Sequence, residues 1–238
     1  MTATVDRARS RFARLVAECP ETSTYRVDLG PNRATGRLSN RLEAVGSDRL
    51  HSATLFEPGD GESCIEIEQS FRMVEGQIRA DDYVETTFDR GEVLARTQAN
   101  FGTGRLAQAS GRIASTSKTI VPLFGIFTLL RDIDLRAGLS VDVLLWVGAS
   151  LAYPASVRVG RRAVIDCGGL KTEAWPVRVR PHMPEIDSPI DSAVAGMLPE
   201  LVLAFDASGS HRLLTMEFPV GPLRSGLGGR VELEAKCF

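Results

Sequence analysis

Polar side chains placed within apolar segments are the residues of this chain that could do chemistry. Glu66 lies between two isoleucines, Tyr83 follows two aspartates, and Asp142 lies between two valines. Burial in an apolar cavity raises the pKa of a carboxyl group and suits it to general acid or base catalysis near neutral pH. Glu66, Tyr83 and Asp142 are therefore the candidate catalytic residues. The alternative is that they lie on a wetted face or pair with arginines.

Large aromatic side chains are the candidate ligand-binding residues. They are Phe124, Phe127, Trp146, Tyr153 and Trp175. Aromatic residues are also common in the cores of β-sheets, so a purely structural role stays open for each of them.

The familiar catalytic and cofactor motifs are missing from the sequence. The segment Phe101–Ala107 has the G-x-G-x-x-A spacing of a dinucleotide-binding loop. However, the segment before it is half polar, and neither a helix nor an acidic strand end follows, so we interpret it as a hairpin turn. The sequence contains no G-x-S-x-G, H-E-x-x-H or Walker motif. We therefore expect no cofactor.

Metal binding is not indicated either. The three histidines, His51, His182 and His211, are isolated in the sequence, and the four cysteines form no C-x-x-C pair. Only folding could bring two histidines and a carboxylate together. The sequence predicts free thiols and no metal site.

The elements that must position these residues are strands. Short segments rich in Val, Ile, Leu, Phe and Arg, cut by Gly, Pro, Asp or Ser, run from Tyr25 to Cys237 and indicate antiparallel β-structure. One of the predicted strands is Arg105–Ala114. Two stretches differ, namely an amphipathic helix within Val5–Cys19 and an apolar block at Ile120–Leu130, which we interpret as a compact turn or short helix.

The pattern predicts an all-β fold, an antiparallel lipocalin-like barrel or a strongly curved sandwich with an N-terminal helix and a short central helix. The length of 238 residues fits one domain, with the helix in residues 1–20 and the barrel in residues 21–238.

Charge and hydropathy limit the partners. The net charge of −2 gives no overall field that would recruit nucleic acid. The apolar block is too short to span a bilayer and is broken by Pro122 and Gly125. The charged N-terminal segment lacks the apolar core of a secretory signal, which predicts a cytoplasmic protein. Whether the chain forms a homodimer stays open.

Several segments resemble an uncharacterised bacterial family of envelope β-proteins, a domain of unknown function with lipocalin-like barrel character. The matching segments are Tyr25–Gly30 with Gly36 and Leu38, Val121–Arg131, Leu135–Gly138, Val159–Leu170, and a hairpin near Leu201–Phe218. The resemblance implies a barrel with a short central helix. Members of that family normally carry a signal peptide, and this sequence departs from them there.

A barrel of this size can enclose an apolar cavity for one small ligand. We therefore expect a cofactor-independent, pericyclase-like cyclase or isomerase that folds a hydrophobic natural-product intermediate, because shape and desolvation can lower a barrier without a fixed nucleophile. The alternative is a non-catalytic binder or carrier of a lipid or hydrophobic metabolite. A third hypothesis is a scaffold protein with a filled interior.

Overall fold

Fourteen strands and two short helices make up the described part of the protein. The computed structural model describes residues 11–30, 35–59, 61–102, 119–148, 152–181, 200–219 and 228–234. The strands are β1 (Glu21–Asp28), β2 (Thr35–Ala44), β3 (Arg49–Glu57), β4 (Ser63–Val74), β5 (Gln77–Asp89), β6 (Glu92–Asn100), β7 (Thr119–Pro122), β8 (Ser140–Trp146), β9 (Ala152–Val159), β10 (Ala163–Cys167), β11 (Leu170–Pro181), β12 (Leu201–Asp206), β13 (Leu213–Pro219) and β14 (Gly228–Leu233). Residues 11–18 form helix α1, and Ile126–Leu129 form helix α2.

Alternation of buried and exposed side chains builds the sheet. In β1, Ser23, Tyr25 and Val27 are buried, whereas Arg26 and Asp28 are exposed. Because successive side chains of a strand point to opposite faces, one face of the sheet forms the core and the other meets water. The side chains of β4 alternate in the same way, since Ile67 is buried and Glu66 is exposed.

All fourteen strands belong to one sheet that curls into an incomplete barrel. The hydrogen-bonded order is β6-β5-β4-β3-β2-β1-β14-β13-β12-β11-β9-β8-β7, and β10 pairs with β11. The sheet returns to itself where β5, the neighbour of the end strand β6, contacts the other end strand, β7. In the described residues no backbone ladder joins these two strands. The meeting line of β5 with β7 is called the seam below.

The part of the apolar block that follows β7 is packed inside the barrel before β8 begins. A 3-10 turn at Leu123–Gly125 leads directly into α2, and all four residues of α2 are buried. The ring of Phe127 packs edge-on against Tyr25 of β1, with ring centroids 5.5 Å apart. The 3-10 turn and α2 together are called the central helical segment.

Ion pairs fix the end of the barrel where β1 begins. The side chain of Arg131, which follows the central helical segment, is 3% exposed, and its Nη2 lies 2.8 Å from Oε2 of Glu21. Nε of Arg131 donates a hydrogen bond to the Ser210 carbonyl at 2.9 Å. Helix α1 packs nearby through the buried side chains of Phe12 and Leu15.

The all-β, barrel-like fold with an N-terminal and a short central helix is confirmed. One local prediction was wrong, because the apolar block begins as a strand. β7 pairs in parallel with β8, a pairing that suits the β-branched Ile120 and Val121 and ends at Pro122, which lacks the N–H needed to continue the ladder. The predicted strand at Arg105–Ala114 lies outside the described residues.

Candidate functional site

An apolar cavity of about 320 Å³ lies at one end of the barrel, opposite the Arg131–Glu21 ion pair. β1, β3, β8 and β13 end at this end of the barrel, and β2, β4, β9 and β12 begin there. The residues that line the cavity come from nine strands or strand ends and from the central helical segment. They are Val27, Leu29, Leu38, Phe56, Ile65, Leu123, Phe124, Val147, Tyr153, Leu201, Met216, Phe218 and Val231.

The alternating direction of side chains along each strand determines which of them form the wall of this cavity. The central helical segment packs beside that wall. Val27 and Leu38 are inward-facing residues of neighbouring strands. Leu123 and Phe124 are half-buried and lie on the turn that enters the barrel. A site built on strands and a packed turn is held in shape before any ligand arrives, as is usual for small-molecule pockets.

Tyr153 supplies the polar side-chain group of the cavity lining. The other lining side chains are aliphatic, aromatic or thioether groups. Burial raises the pKa of the Tyr153 phenol above its ordinary value. The hydroxyl is therefore neutral at physiological pH and can donate one hydrogen bond.

A layer of polar side chains lies next to the cavity lining on the inner face of the sheet, farther along the strands from the cavity end of the barrel. Asn40 is two residues beyond Leu38 on β2, and its Nδ2 donates hydrogen bonds to Ser52 Oγ and Thr54 Oγ1, both at 2.7 Å. All three side chains are buried. Their mutual hydrogen bonds compensate for their removal from water.

The candidate ligand-binding residues divide between the cavity and the remaining core. Phe124 and Tyr153 line the cavity, whereas Phe127 packs on Tyr25. Trp146 is buried at the seam, and Trp175 is buried beneath the guanidinium of Arg162, 4.7 Å from the ring centroid.

The candidate catalytic residues lie away from the cavity lining. Glu66 and Asp142 are exposed on their strands. Tyr83 is buried at the seam, where its ring packs edge-on against Trp146 at 4.7 Å and its hydroxyl donates a hydrogen bond to Glu85. Burial and this bond raise the pKa of Tyr83 far above its ordinary value.

Sequence reasoning did not single out most of the lining, including Leu29, Leu38, Phe56, Met216 and Phe218. Alternation within each strand indicates that several of them face inward. The level at which each one lies along the barrel axis depends on pairings between distant strands, and no local pattern gives that.

The described residues contain no group of three or more His, Cys, Asp or Glu side chains that could hold a metal ion. Cys19, Cys64 and Cys167 are free thiols, and Cys237 lies outside the described residues. No charged side chain lines the cavity, so the described lining offers no group that would hold a cofactor phosphate.

No helix in the described ranges is long and apolar enough to cross a membrane.

Comparisons with known proteins show likeness in fold. No family model and no curated protein matches the chain. The chain is similar to the crystal structure of a β-barrel-like protein of domain of unknown function DUF1849 from Brucella abortus, with a TM-score of 0.55 and 13% identity over 90% of this chain and 95% of that one. A DUF1089 family protein from Pseudomonas aeruginosa matches with a TM-score of 0.42 and 10% identity over 78% of this chain and 91% of that one.

The likeness to the Brucella abortus structure shows a β-barrel-like fold and extends to the fold alone. The resemblance to such a barrel, predicted from the sequence, is confirmed at the level of fold.

Proposed function

We propose that the protein binds a hydrophobic small molecule, with the apolar chain or ring of that molecule inside the apolar cavity. The observation that carries the proposal is the cavity itself, with its volume of about 320 Å³ and its lining of apolar side chains. Sites for small ligands typically occupy about 300 to 1,000 Å³ and are mostly apolar with few polar groups.

The lining also limits the chemistry of the ligand. An ionised group enclosed by these side chains would lose its hydration with no charged partner, at a cost of several kcal/mol. The enclosed part of the ligand is therefore uncharged, and any charged head group stays at the mouth of the cavity. The Tyr153 hydroxyl offers one hydrogen bond to an acceptor oxygen of the ligand.

Binding is favoured over catalysis because no candidate catalytic residue reaches the cavity lining. Glu66 and Asp142 are exposed, and the Tyr83 hydroxyl is bonded to Glu85 at the seam. A cyclase or isomerase that acts only through the shape of the cavity would need none of these groups. Incubation of the protein with a polyene or terpenoid in cofactor-free buffer, followed by chromatography, tests this alternative, since conversion would show an enzyme.

The cytoplasmic location expected from the sequence stays a prediction.

The binding experiment uses the neutral apolar fluorophore N-phenyl-1-naphthylamine, titrated against the protein while its emission is followed. We expect saturable binding at one site. Leu123→Trp fills the cavity from its half-buried edge and should weaken binding at least tenfold. The matched control is Leu94→Trp, which adds the same ring on β6 at a side chain that is 71% exposed and should leave affinity unchanged.

Equal affinity of the two variants would refute binding in the apolar cavity. Absence of saturable binding to the unmodified protein would do so as well. Denaturant unfolding of each variant checks that the loss of affinity is not a loss of fold.

A further inference from the structure

A second cavity of about 270 Å³ lies at the seam, near the end of the barrel opposite the apolar cavity. It is lined by Ile78 of β5, Val121 of β7 and Val143 of β8. Leu130 lies at its inner side, beyond the last residue of α2. This space lies beside the contact of β5 with β7, two strands that no backbone ladder joins in the described residues. We call this space the seam cavity.

Two polar atoms in the seam cavity are buried and find no hydrogen-bond partner within the described part of the chain. Asp132 is 8% exposed, and its Oδ2 accepts the backbone N–H of Ile78 at 3.0 Å. Among the described residues, its Oδ1 has no hydrogen-bond partner, and neither has Nε of Arg11, the first residue that the structure describes. These two atoms face each other at 3.8 Å, too far apart for a direct hydrogen bond.

The remaining charges at the rim do not satisfy this pair. Asp134 is half-exposed and lies 3.9 Å from Nη1 of Arg11, and the exposed Glu75 lies 3.7 Å from Arg79. Burial raises the pKa of Asp132, although the Ile78 amide and the Arg11 guanidinium act to lower it. Buried polar atoms without partners cost about 1–3 kcal/mol each, so a group that bridges them gains binding energy.

A hydroxyl group has the donor and acceptor that the gap requires. Its oxygen can accept the Nε–H of Arg11, and its proton can be donated to Oδ1 of Asp132. A ketone can only accept, and an ammonium group can only donate, so each would satisfy one of the two atoms. The aliphatic walls supplied by Val121, Val143 and Leu130 suit an apolar body attached to that hydroxyl.

We propose that the seam cavity is a second ligand site, which takes a neutral aliphatic or alicyclic alcohol whose hydroxyl bridges Arg11 and Asp132. This site is separate from the apolar cavity and does not depend on the function proposed for it. The central helical segment lies between the two, with Leu123 lining one cavity and Leu129 the other.

The test compares cyclohexanol with cyclohexanone, two soluble probes of nearly equal size that differ in the ability to donate. Backbone amide shifts of the full chain are followed by NMR, with Ile78 as reporter because its N–H is bonded to Asp132. We expect cyclohexanol to shift the Ile78 amide in a saturable way and to bind at least tenfold more tightly than cyclohexanone, because hydrogen bonds to charged groups are the stronger ones.

Two variants and one matched control locate the effect. Asp132→Asn keeps an acceptor for Ile78 but removes the charged Oδ1, and Arg11→Met removes the bridging donor in case the first variant does not fold. Each should abolish the preference for the alcohol. Asp134→Asn, at a side chain that is 53% exposed on the same rim, should retain it.

Equal binding of the two probes, or a preference that survives Asp132→Asn, would overturn the proposal. So would shifts confined to Tyr153 and its neighbours, which would assign the probe to the apolar cavity. Absence of any saturable shift at Ile78 would overturn it as well, because the probe would then not bind beside Asp132.

Discussion

Arg131 and Glu21 form a buried ion pair between residues 110 positions apart, with Nη2 and Oε2 separated by 2.8 Å. The pair ties the segment after α2 to the first residue of β1. Nη1 of Arg131 also donates to Oε1 of Glu21 at 3.1 Å, so the contact is bidentate. Arg212 adds a second positive charge, its Nε lying 3.1 Å from Oε1 of Glu21.

Replacing Arg131 by Met should destabilise the protein by about 3–5 kcal/mol, because Glu21 would keep its buried charge and lose its main partner. The measurement is urea unfolding at neutral pH. The matched control is Arg178→Met, which breaks an exposed pair with Glu200 and should cost no more than about 1 kcal/mol. Equal losses for the two variants would contradict a structural role for the buried pair.

A fall in pH should remove the contribution of Glu21 to the stability of the folded protein. Burial alone would raise the pKa of Glu21, but Arg131 and Arg212 together outweigh it and hold the pKa below its ordinary value of 4.5. The folded state therefore favours the carboxylate more than the unfolded chain does. Its stabilisation is complete above the unfolded pKa and is lost as the pH falls through the lower folded pKa.

The difference in unfolding free energy between the unmodified protein and Glu21→Gln should thus be constant from pH 7 to about pH 5.5 and shrink below the unfolded pKa. Urea unfolding at several pH values measures it. Glu66→Gln, at an exposed side chain, serves as the control and should change stability by less than about 0.5 kcal/mol. If this difference in unfolding free energy stays constant down to pH 3, the lowered pKa of Glu21 is contradicted.

Local patterns were enough to predict that the chain is built of strands, apart from β7, but they did not predict the barrel positions of the side chains. The period-two alternation of Ile65 and Ile67 against Glu66 fixes which face of β4 is buried. By contrast, Tyr25 of β1 lies opposite Leu233 of β14, a pairing that no neighbouring residues encode. Since the level of a side chain along the barrel depends on such pairings, Phe124 and Tyr153 could not be separated by sequence from Trp146 and Trp175.

Two phenylalanines of the apolar block should respond differently to the same substitution. Phe127 is 4% exposed and packs on Tyr25, so Phe127→Asp should cost several kcal/mol through burial of an unpaired charge. Phe124 is half-buried at the cavity, so Phe124→Asp should cost less stability and should abolish fluorophore binding. Urea unfolding and the fluorophore titration check the pair, and a reversed order of stabilities would show that the packing around the central helical segment differs from that described.

Gln69 should be replaceable by Leu without loss of stability. Its side chain is 2% exposed on β4, and both its Oε1 and its Nε2 lack a hydrogen-bond partner among the residues that the structure describes. An unsatisfied buried amide carries a desolvation cost of about 1–3 kcal/mol, which a leucine of similar volume would relieve.

Asn40→Leu is the matched opposite case on β2, because it leaves the hydroxyls of Ser52 and Thr54 without their shared donor and should destabilise the protein by about 1–3 kcal/mol. Thermal and urea unfolding should therefore place Gln69→Leu at or above the unmodified protein and Asn40→Leu below it. If Gln69→Leu instead falls as far as Asn40→Leu, the amide of Gln69 is bonded to an ordered water inside the barrel.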